Sequence, residues 1–192
     1  MFSHFRPALV SMGLFTALLG VAYPLAITGV AQAAFPAQAN GSLLRDAKGA
    51  VVGSALLGQA FAQPGYLHPR PSAAGAGYDA SASSGSNMGP LNEALAQRIK
   101  TDAEVLHAEN PGVTIPADAV TTSGSGLDPD ISPAYARFQA PRVAKARGWS
   151  VAAVEAVISR NIQGRLWGFI GQPRVNVLAV NRALDARFPK GG

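Results

Sequence analysis

The residues best suited to chemistry form a short run of serine and glycine, Ser123-Gly124-Ser125-Gly126. Glycine-rich turns present backbone N–H groups to phosphates when a helix follows directly. Here Asp128 and two prolines precede the next predicted helix, and no Gly-Lys-Ser/Thr follows, which excludes a Walker loop. We therefore favour a tight structural turn, in which glycine supplies a positive φ at low cost, over a phosphate site.

A hydrolase would need a serine nucleophile and a histidine base. Its candidates are Ser86, Ser123 or Ser125 with His68 or His107. The Gly-x-Ser-x-Gly spacing of a nucleophile elbow is missing, which disfavours a stand-alone hydrolase. Three histidines and no cysteine provide no metal-binding set. The sequence thus predicts neither a catalytic residue nor a metal site.

Three basic residues, Arg142, Lys145 and Arg147, lie near the end of a predicted helix. They could contact a nucleotide phosphate. Cations are also favoured at helix C-termini without a ligand, and we prefer that interpretation. The net charge of +5 comes from 16 Lys and Arg against 11 Asp and Glu, scattered along the chain. This distribution argues against a nucleic-acid partner.

The element that must position these residues is an apolar stretch, residues 7–30, inside a segment without charge between Arg6 and Arg45. Its length suits a membrane-spanning helix, which needs roughly 20 residues. Ala31-Gln32-Ala33 resembles a signal-peptidase site, but an export signal has a shorter apolar core of roughly 7–15 residues. We therefore predict a retained single-pass anchor that Pro24 kinks.

The flanking charges predict the orientation of this anchor. Arg6 precedes the span, and no Lys or Arg lies within the fourteen residues after it. Basic residues favour the cytoplasmic side. We thus expect the N-terminus in the cytoplasm and the large domain outside, in the periplasm, at the cell inner membrane.

The remaining chain mixes short strands with helices, which predicts an α/β or α+β domain. The expected elements are a hairpin around Asp46–Gly49, a helix from Pro90 or Leu91 to Asn110, a strand or two among residues 113–121, a helix from Ser132 to Arg147, a helix capped by Ser150, a strand over 174–180 and a short helix capped by Asn181. We divide the chain into residues 1–34, the N-terminal flank and membrane helix, and residues 35–192, one soluble domain. A Gly/Ser-rich loop at 73–90 is either a flexible linker or an ordered polar loop.

A series of motifs extends over nearly the whole chain. They are Ala31-Gln32 with Phe35-Pro36, Asn40–Leu43, Gly53-Ser54 with Gly58–Phe61, Arg70–Ala73, Ser86–Asn92, Ser123–Pro133, Arg142–Ala144 with Ala146–Gly148, and Gly171–Leu178. In type and order they resemble the C subunit of the Kdp-type potassium-transporting ATPase. One departure is Ser83-Ser84-Gly85-Ser86-Asn87, where that family usually shows Ser-Gly-Gly-Ser-Asn; the lost glycine weakens a nucleotide role for this tract.

The resemblance implies an accessory, non-catalytic subunit of an ATP-driven high-affinity potassium importer. It would assemble with, and stabilise, a channel-like subunit and a P-type ATPase subunit that hydrolyses ATP. The alternative that it implies is a catalytic chaperone that raises the ATP affinity of the ATPase subunit through a shared nucleotide site. We expect no firmly bound cofactor, with ATP possible only together with the partner subunit.

The resemblance also selects nine candidate residues for nucleotide or partner contact: Gln59, Arg70, Ser86, Asn87, Ser123, Gly124, Ser125, Gly126 and Asp128. Of these, we expect Arg70, Asn87 and Asp128, together with Asn176, to act through the fold or a subunit interface.

Overall fold

The computed structural model describes residues 4–187, in which helices alternate with short strands. This confirms the predicted mixed fold. The chain separates into two compact units, one ending at Ser54 and the other beginning at Ala55. The functional division at residues 34 and 35 stays a prediction.

The first unit begins with a continuous helix, in which α1 (Phe5–Phe15), a π-helical segment (Thr16–Ala22) and α2 (Tyr23–Ala34) follow one another. It has 30 residues and a mean hydropathy of 1.8. Within residues 4–187 it is the one helix long and apolar enough to cross a membrane. At about 45 Å it exceeds the thickness of a hydrocarbon core.

The π-helical segment ends two residues before Pro24. Proline has no N–H group, and its ring collides with the carbonyl four residues earlier, here that of Gly20. The wider π turn keeps the helix continuous past this collision. The disturbance predicted at Pro24 therefore takes the form of a π segment.

After helix α3 (Pro36–Ala39), strands β1 (Leu43–Arg45) and β2 (Val51–Ser54) form an antiparallel hairpin. The Asp46 carboxylate closes the turn by accepting hydrogen bonds from Lys48 N at 2.8 Å and Ala50 N at 2.9 Å. The register shifts after Leu44. The hairpin agrees with the turn composition of residues 46–49 in the sequence.

Over residues 55–187, the second unit contains a three-stranded antiparallel sheet and five helices. Its elements are α4 (Glu93–Glu109), a 3₁₀ turn (Ala117–Ala119), β3 (Asp130–Ile131), α5 (Pro133–Phe138), α6 (Ala140–Arg147), α7 (Val151–Arg160), β4 (Ile162–Gln163), β5 (Arg174–Asn176) and α8 (Val177–Arg187). The strand order is β3-β5-β4. Val175 on the central strand is fully buried with Ile158, Leu184 and Val143 from three helices. Because Leu67 from an irregular segment joins the same core, that segment is fixed against the helices.

Four predicted elements are wrong. The strand expected over 174–180 ends at Asn176, and α8 begins at Val177 because Asn176 Oδ1 caps it by accepting from Ala179 N at 3.0 Å. Asn181, the predicted cap, is instead buried inside α8. The helix expected from Ser132 to Arg147 divides at Gln139, since Pro141 cannot donate within a helix. The strands expected among residues 113–121 are replaced by the 3₁₀ turn.

Helix α4 begins later than predicted. Asn92 accepts hydrogen bonds from Ala94 N and Leu95 N, which fixes the first turn at Glu93. Leu91, expected on the apolar face of the helix, precedes it and is 96% exposed. The helices that begin after Ser132 and Ser150 are capped by those serines as expected.

Candidate functional site

The serine and glycine run packs against the Gly/Ser-rich loop; we call residues 70–85 and 121–128 together the loop junction. Ser83 Oγ and Ser84 N both donate to the carbonyl oxygen of Ser125 at 3.0 Å. The Ser125 hydroxyl in turn accepts from Leu127 N at 3.1 Å. The Gly/Ser-rich loop is therefore an ordered element at this junction.

Two glycines allow this close approach of backbones. Gly126 has φ +68, and a Cβ there would lie 2.6 Å from both Ala74 N and Ser84 O. A Cβ on Gly85 would lie 2.9 Å from the carbonyl oxygen of Gly124. Glycine is thus needed at 126 both for its backbone conformation and for space.

Arg70 and Asp128 form the charged part of the loop junction. Arg70 Nη1 donates to Asp128 Oδ2 at 3.1 Å, and the two side chains are 26% and 32% exposed. The guanidinium also reaches the carbonyl oxygens of Thr121 and Thr122 at 3.4 Å. The planar donor fork of arginine suits such a set of acceptors. Arg70 therefore joins the two halves of the loop junction.

Sequence reasoning missed Ser72 and Tyr78 as connectors. Ser72 Oγ donates to Gly126 O at 2.6 Å and accepts from Tyr78 N at 2.9 Å, while the Tyr78 hydroxyl donates to Arg70 O at 2.6 Å. Burial raises the pKa of Tyr78 to about 12, so its hydroxyl remains a donor. The available signal was the position of Ser72 within the Arg70–Ala73 motif.

Asp130 and Asn176 extend the loop junction to the sheet. Asn176 Nδ2 donates to Asp130 Oδ1 at 3.2 Å and to Ala55 O at 3.0 Å. Arg174 pairs with the other Asp130 oxygen at 2.9 Å. Burial raises the pKa of Asp130, with a smaller contribution from the neighbouring Asp128, whereas Asn176 and Arg174 oppose the rise. Asp130 and Arg174 line an open groove of 540 Å³ together with Arg70 and Asp128.

The other candidate residues lie at the edge of the loop junction or on the surface. Gln59 directly follows Gly58, whose N–H donates to Leu127 O at 2.8 Å, so it borders the loop junction. Ser86 is half-buried next to Gly85, while Asn87 is exposed with φ +52. The structure thus brings Arg70, Asp128 and residues 123–126 together, with Gln59 and Ser86 at the edge and Asn87 on the surface.

The basic residues near the end of α6 hold an irregular segment, residues 63–71, which we call the strap. Arg142 donates to Pro64 O at 2.7 Å and Tyr66 O at 2.9 Å, and it pairs with Glu109 at 3.0 Å. Arg147, with a side chain 5% exposed, donates to Gly65 O at 2.6 Å and pairs with Asp185 at 2.8 Å. Both arginines thus have structural partners, in agreement with the interpretation that needs no phosphate.

Two buried amides continue the attachment of the strap. Asn181 exchanges hydrogen bonds with the backbone of Leu67 at 2.8 and 3.0 Å, and Gln139 does the same with His68 at 2.8 and 3.0 Å. Each side-chain amide accepts from the backbone N–H and donates to the backbone carbonyl of one residue, as the backbone of a neighbouring strand would. Asn181, predicted as a helix cap, is therefore a core connector.

The strap borders a mostly apolar cavity of 430 Å³ lined by Phe61, His68, Tyr78, Leu106 and Tyr135 among others. Burial lowers the pKa of His68, and the positive charge of Arg142 adds to this effect. Burial also raises the pKa of Tyr135. Neutral side chains therefore dominate the cavity wall.

The lowered pKa of His68 predicts acid sensitivity. The unfolded chain takes up a proton near pH 6.5, whereas the folded chain resists it until a lower pH. Stability should consequently fall as the pH decreases below 6.5. We expect His68→Gln to remove this part of the slope in urea unfolding of the full chain in mild detergent, measured on both sides of that pH. An equal slope in the variant and in the wild type would contradict the assignment.

The chemistry available at the loop junction is hydrogen bonding and charge pairing. Of the candidate serines, Ser123 is 3% exposed, and Ser125 binds through both its hydroxyl and its carbonyl oxygen. Among residues 4–187, no cluster of three His, Cys, Asp or Glu side chains is arranged to hold a metal ion. The geometry is that of a polar junction whose groups are hydrogen-bonded to one another.

The family model described as "KdpC: K+-transporting ATPase, c chain" matches residues 5–186. The chain belongs to this family. Three relatives carry the name potassium-transporting ATPase KdpC subunit. The protein from Caulobacter sp. strain K31 is 79% identical over all of this chain and 98% of its own length. That from Beijerinckia indica is 61% identical over 98% of this chain and 96% of its own. The protein from Myxococcus xanthus is 54% identical over 98% of this chain and 90% of its own length.

The resemblance drawn from the ordered motifs is thereby confirmed. Membership of the KdpC family spans the apolar helix and the second unit alike, because the matched residues begin at Phe5 and end in α8. The loop junction is built largely from two of the quoted motifs, Arg70–Ala73 and Ser123–Pro133.

Proposed function

We propose that this chain is the accessory, non-catalytic subunit of an ATP-driven high-affinity potassium importer. It assembles with a channel-like subunit and a P-type ATPase subunit and stabilises their complex. The observation that carries the proposal is the family match over residues 5–186, with relatives that bear the name of a potassium-transporting ATPase subunit. Hydrolysis of ATP belongs to a partner in this scheme.

The contacts at the loop junction favour a structural role for it, in which it maintains a surface for partner subunits. Arg70 and Asp128 are bonded to each other, and Ser125 binds the facing loop. A group already engaged in this way must break its contacts before it can bind a nucleotide, at a net cost of about 1 kcal/mol for each hydrogen bond. The proposed role of the loop junction is to keep one rigid surface available to partner subunits.

The alternative, a catalytic chaperone that raises the ATP affinity of the ATPase subunit, has narrower support. Gly124 and Ser125 are exposed, so a nucleotide held mainly by a partner could reach them. This role also requires the second unit to face the cytoplasm. Under this alternative the chain alone binds no cofactor firmly, and ATP contact occurs only together with the partner subunit.

We further propose that the helix Phe5–Ala34 is a retained, single-pass anchor in the inner membrane. Its length and mean hydropathy of 1.8 support a span. The position of Arg6 before it supports a cytoplasmic N-terminus and a periplasmic second unit.

One experiment tests both assembly and orientation. The chain has no cysteine, so Ala80→Cys, at an exposed position of the Gly/Ser-rich loop, introduces a single thiol. Cells that express the tagged full-length variant are treated with a membrane-impermeant maleimide, and the chain is then purified in mild detergent. We expect a labelled chain that retains the channel-like and ATPase subunits.

The purification tests the assembly, and the labelling tests the orientation, so each result can refute one proposal without the other. Purification of the chain alone, under conditions that preserve membrane complexes, would refute the accessory role. Protection of the thiol until the cells are lysed would refute the outer location and favour the chaperone alternative. The variant His4→Cys, directly before the apolar helix and across the membrane from the second unit, serves as the control for reagent leakage.

A further inference from the structure

Within residues 55–187, the connection between β4 and β5 carries four large exposed apolar side chains, those of Leu166, Trp167, Phe169 and Ile170. Leu166 and Ile170 pair across it, with Leu166 N donating to Ile170 O at 2.9 Å. Trp167 and Phe169 are 78% and 70% exposed, with ring centroids 6.5 Å apart. We call residues 165–171 the aromatic tip. Its paired backbone holds two large rings in water, which requires a functional reason.

Basic residues predominate in the sequence around the aromatic tip, where Arg174 is paired with Asp130 at 2.9 Å. Between Glu155 and Asp185 the sequence contains Arg160, Arg165, Arg174 and Arg182 but no acidic residue. Arg165 belongs to the tip itself, where its Nη2 donates to Gln172 Oε1 at 3.1 Å. Aromatic and aliphatic side chains beside arginines are typical of segments that insert into the interface of an anionic bilayer.

From these observations we propose that the aromatic tip inserts into an anionic lipid bilayer surface. Trp167 and Phe169 would lie at the level of the headgroups, and Arg165 would face the lipid phosphates. A protein partner that bound the tip alone is the weaker choice, since a stable interface takes about 20–30 residues a side and the tip projects far fewer.

The inference goes beyond the proposed function and rests on it only through the retained anchor. Only residues 35–54, which include α3 and the β1–β2 hairpin, connect the end of the helix at Ala34 to the second unit, so the anchor tethers the tip to the bilayer. A tethered tip needs only weak intrinsic affinity, because the anchor supplies a high effective concentration at the bilayer.

The test uses the fluorescence of Trp167 in full-length chain reconstituted into vesicles. The protein has two tryptophans, so Trp149→Phe leaves Trp167 as the only one. The vesicles contain phosphatidylcholine alone, or equal parts of phosphatidylcholine and phosphatidylglycerol, each with or without bromine on the acyl chains. We expect a blue-shifted emission and quenching by brominated lipid, both stronger in the anionic vesicles.

Two variants separate the contributions. Arg165→Gln should lower the ratio of inserted to free tip about fivefold in anionic vesicles. One basic residue near an anionic surface strengthens binding to it by about that factor. Phe169→Ser should abolish the quenching. As the matched control, Leu91→Ser changes another exposed apolar residue, 96% exposed but outside the tip, and should leave the quenching unchanged.

Trp167 emission typical of water and insensitive to brominated lipid in both vesicles would overturn the proposal. Shielding that arises only after the channel-like subunit is added would overturn it in favour of a protein partner. If Trp149→Phe does not fold, the difference between the wild-type and Trp167→Phe spectra gives the same readout. Retention of the partner subunits in the purification experiment does not depend on these outcomes, so the two proposals fail separately.

Discussion

Replacing Gly126 by alanine is expected to destabilise the second unit by about 3 kcal/mol. The new Cβ would lie 2.6 Å from Ala74 N and from Ser84 O, both backbone atoms, and 2.9 Å from Ala74 Cβ. Neither backbone can move freely, because Ala74 is fully buried and Ser84 N is bonded to Ser125 O at 3.0 Å. The positive φ of +68 adds backbone strain.

Two glycines provide matched controls. Gly124 has no atom within 4 Å of a built Cβ, so Gly124→Ala should change stability by less than about 0.5 kcal/mol. Gly148 has the same open space but φ +69, so Gly148→Ala should show the backbone term alone, about 1 kcal/mol. The difference between the Gly126 and Gly148 variants therefore measures the steric contact.

The measurement is the urea midpoint of the full chain in mild detergent. If the three alanine variants had equal midpoints, the close packing of the loop junction would be refuted. Reduced recovery of partner subunits with Gly126→Ala, but not with Gly124→Ala, is expected as a consequence, because the proposed supporting surface depends on the junction.

The sequence predicted those elements whose signals are local. The turn between β1 and β2 follows from Asp46 and Gly49, and the starts of α5 and α7 follow from Ser132 and Ser150. A cap or a turn involves only three or four residues, so the residue types alone specify it. The division of the expected helix at Gln139 also had a local signal, Pro141, which the apolar spacing of the segment obscured.

The valine-rich run after Arg174 shows where local signals are insufficient. A short apolar run suits a buried strand and a buried helix equally well. The outcome depends on Asn176, which caps α8 and also binds Ala55 and Asp130, residues distant in sequence. The two-residue strands β3 and β4 have too few residues for any periodic signal.

The candidate site was predictable as a set of residues but not as a geometry. The ordered motifs identified Arg70, Asp128 and residues 123–126, which the structure brings together. The contact between Arg70 and Asp128 joins positions 58 residues apart, and no spacing rule specifies such a pair. Ser72 and Tyr78 were missed because their importance comes entirely from these non-local contacts.

The strap gives the second large prediction. Arg142→Met is expected to destabilise the second unit by about 3 kcal/mol. The arginine side chain is 15% exposed, and Glu109, its partner, is 21% exposed. Methionine would keep much of the apolar stem but would leave the Glu109 carboxylate and the carbonyl oxygens of Pro64 and Tyr66 without these donors.

Two further variants show whether charge or geometry matters. Lys145→Met removes an exposed cation on the same helix and should change stability by less than about 0.5 kcal/mol. Arg142→Lys keeps the positive charge but loses the planar fork that reaches Glu109, the strap and Gln139 together. We therefore expect it to recover only a small part of the loss.

Urea unfolding of the three variants in detergent decides between the structural and the phosphate interpretations of this cluster. If Arg142 holds the strap, its removal lowers the midpoint without any nucleotide present, because the broken contacts are internal. If instead Arg142→Met were as stable as Lys145→Met and ATP raised the midpoint of the wild type but not of the variant, the cluster would be a nucleotide site. The hydrogen bonds of Arg142 to Pro64, Tyr66 and Gln139 favour the first outcome, since they engage all three of its nitrogens together with Glu109.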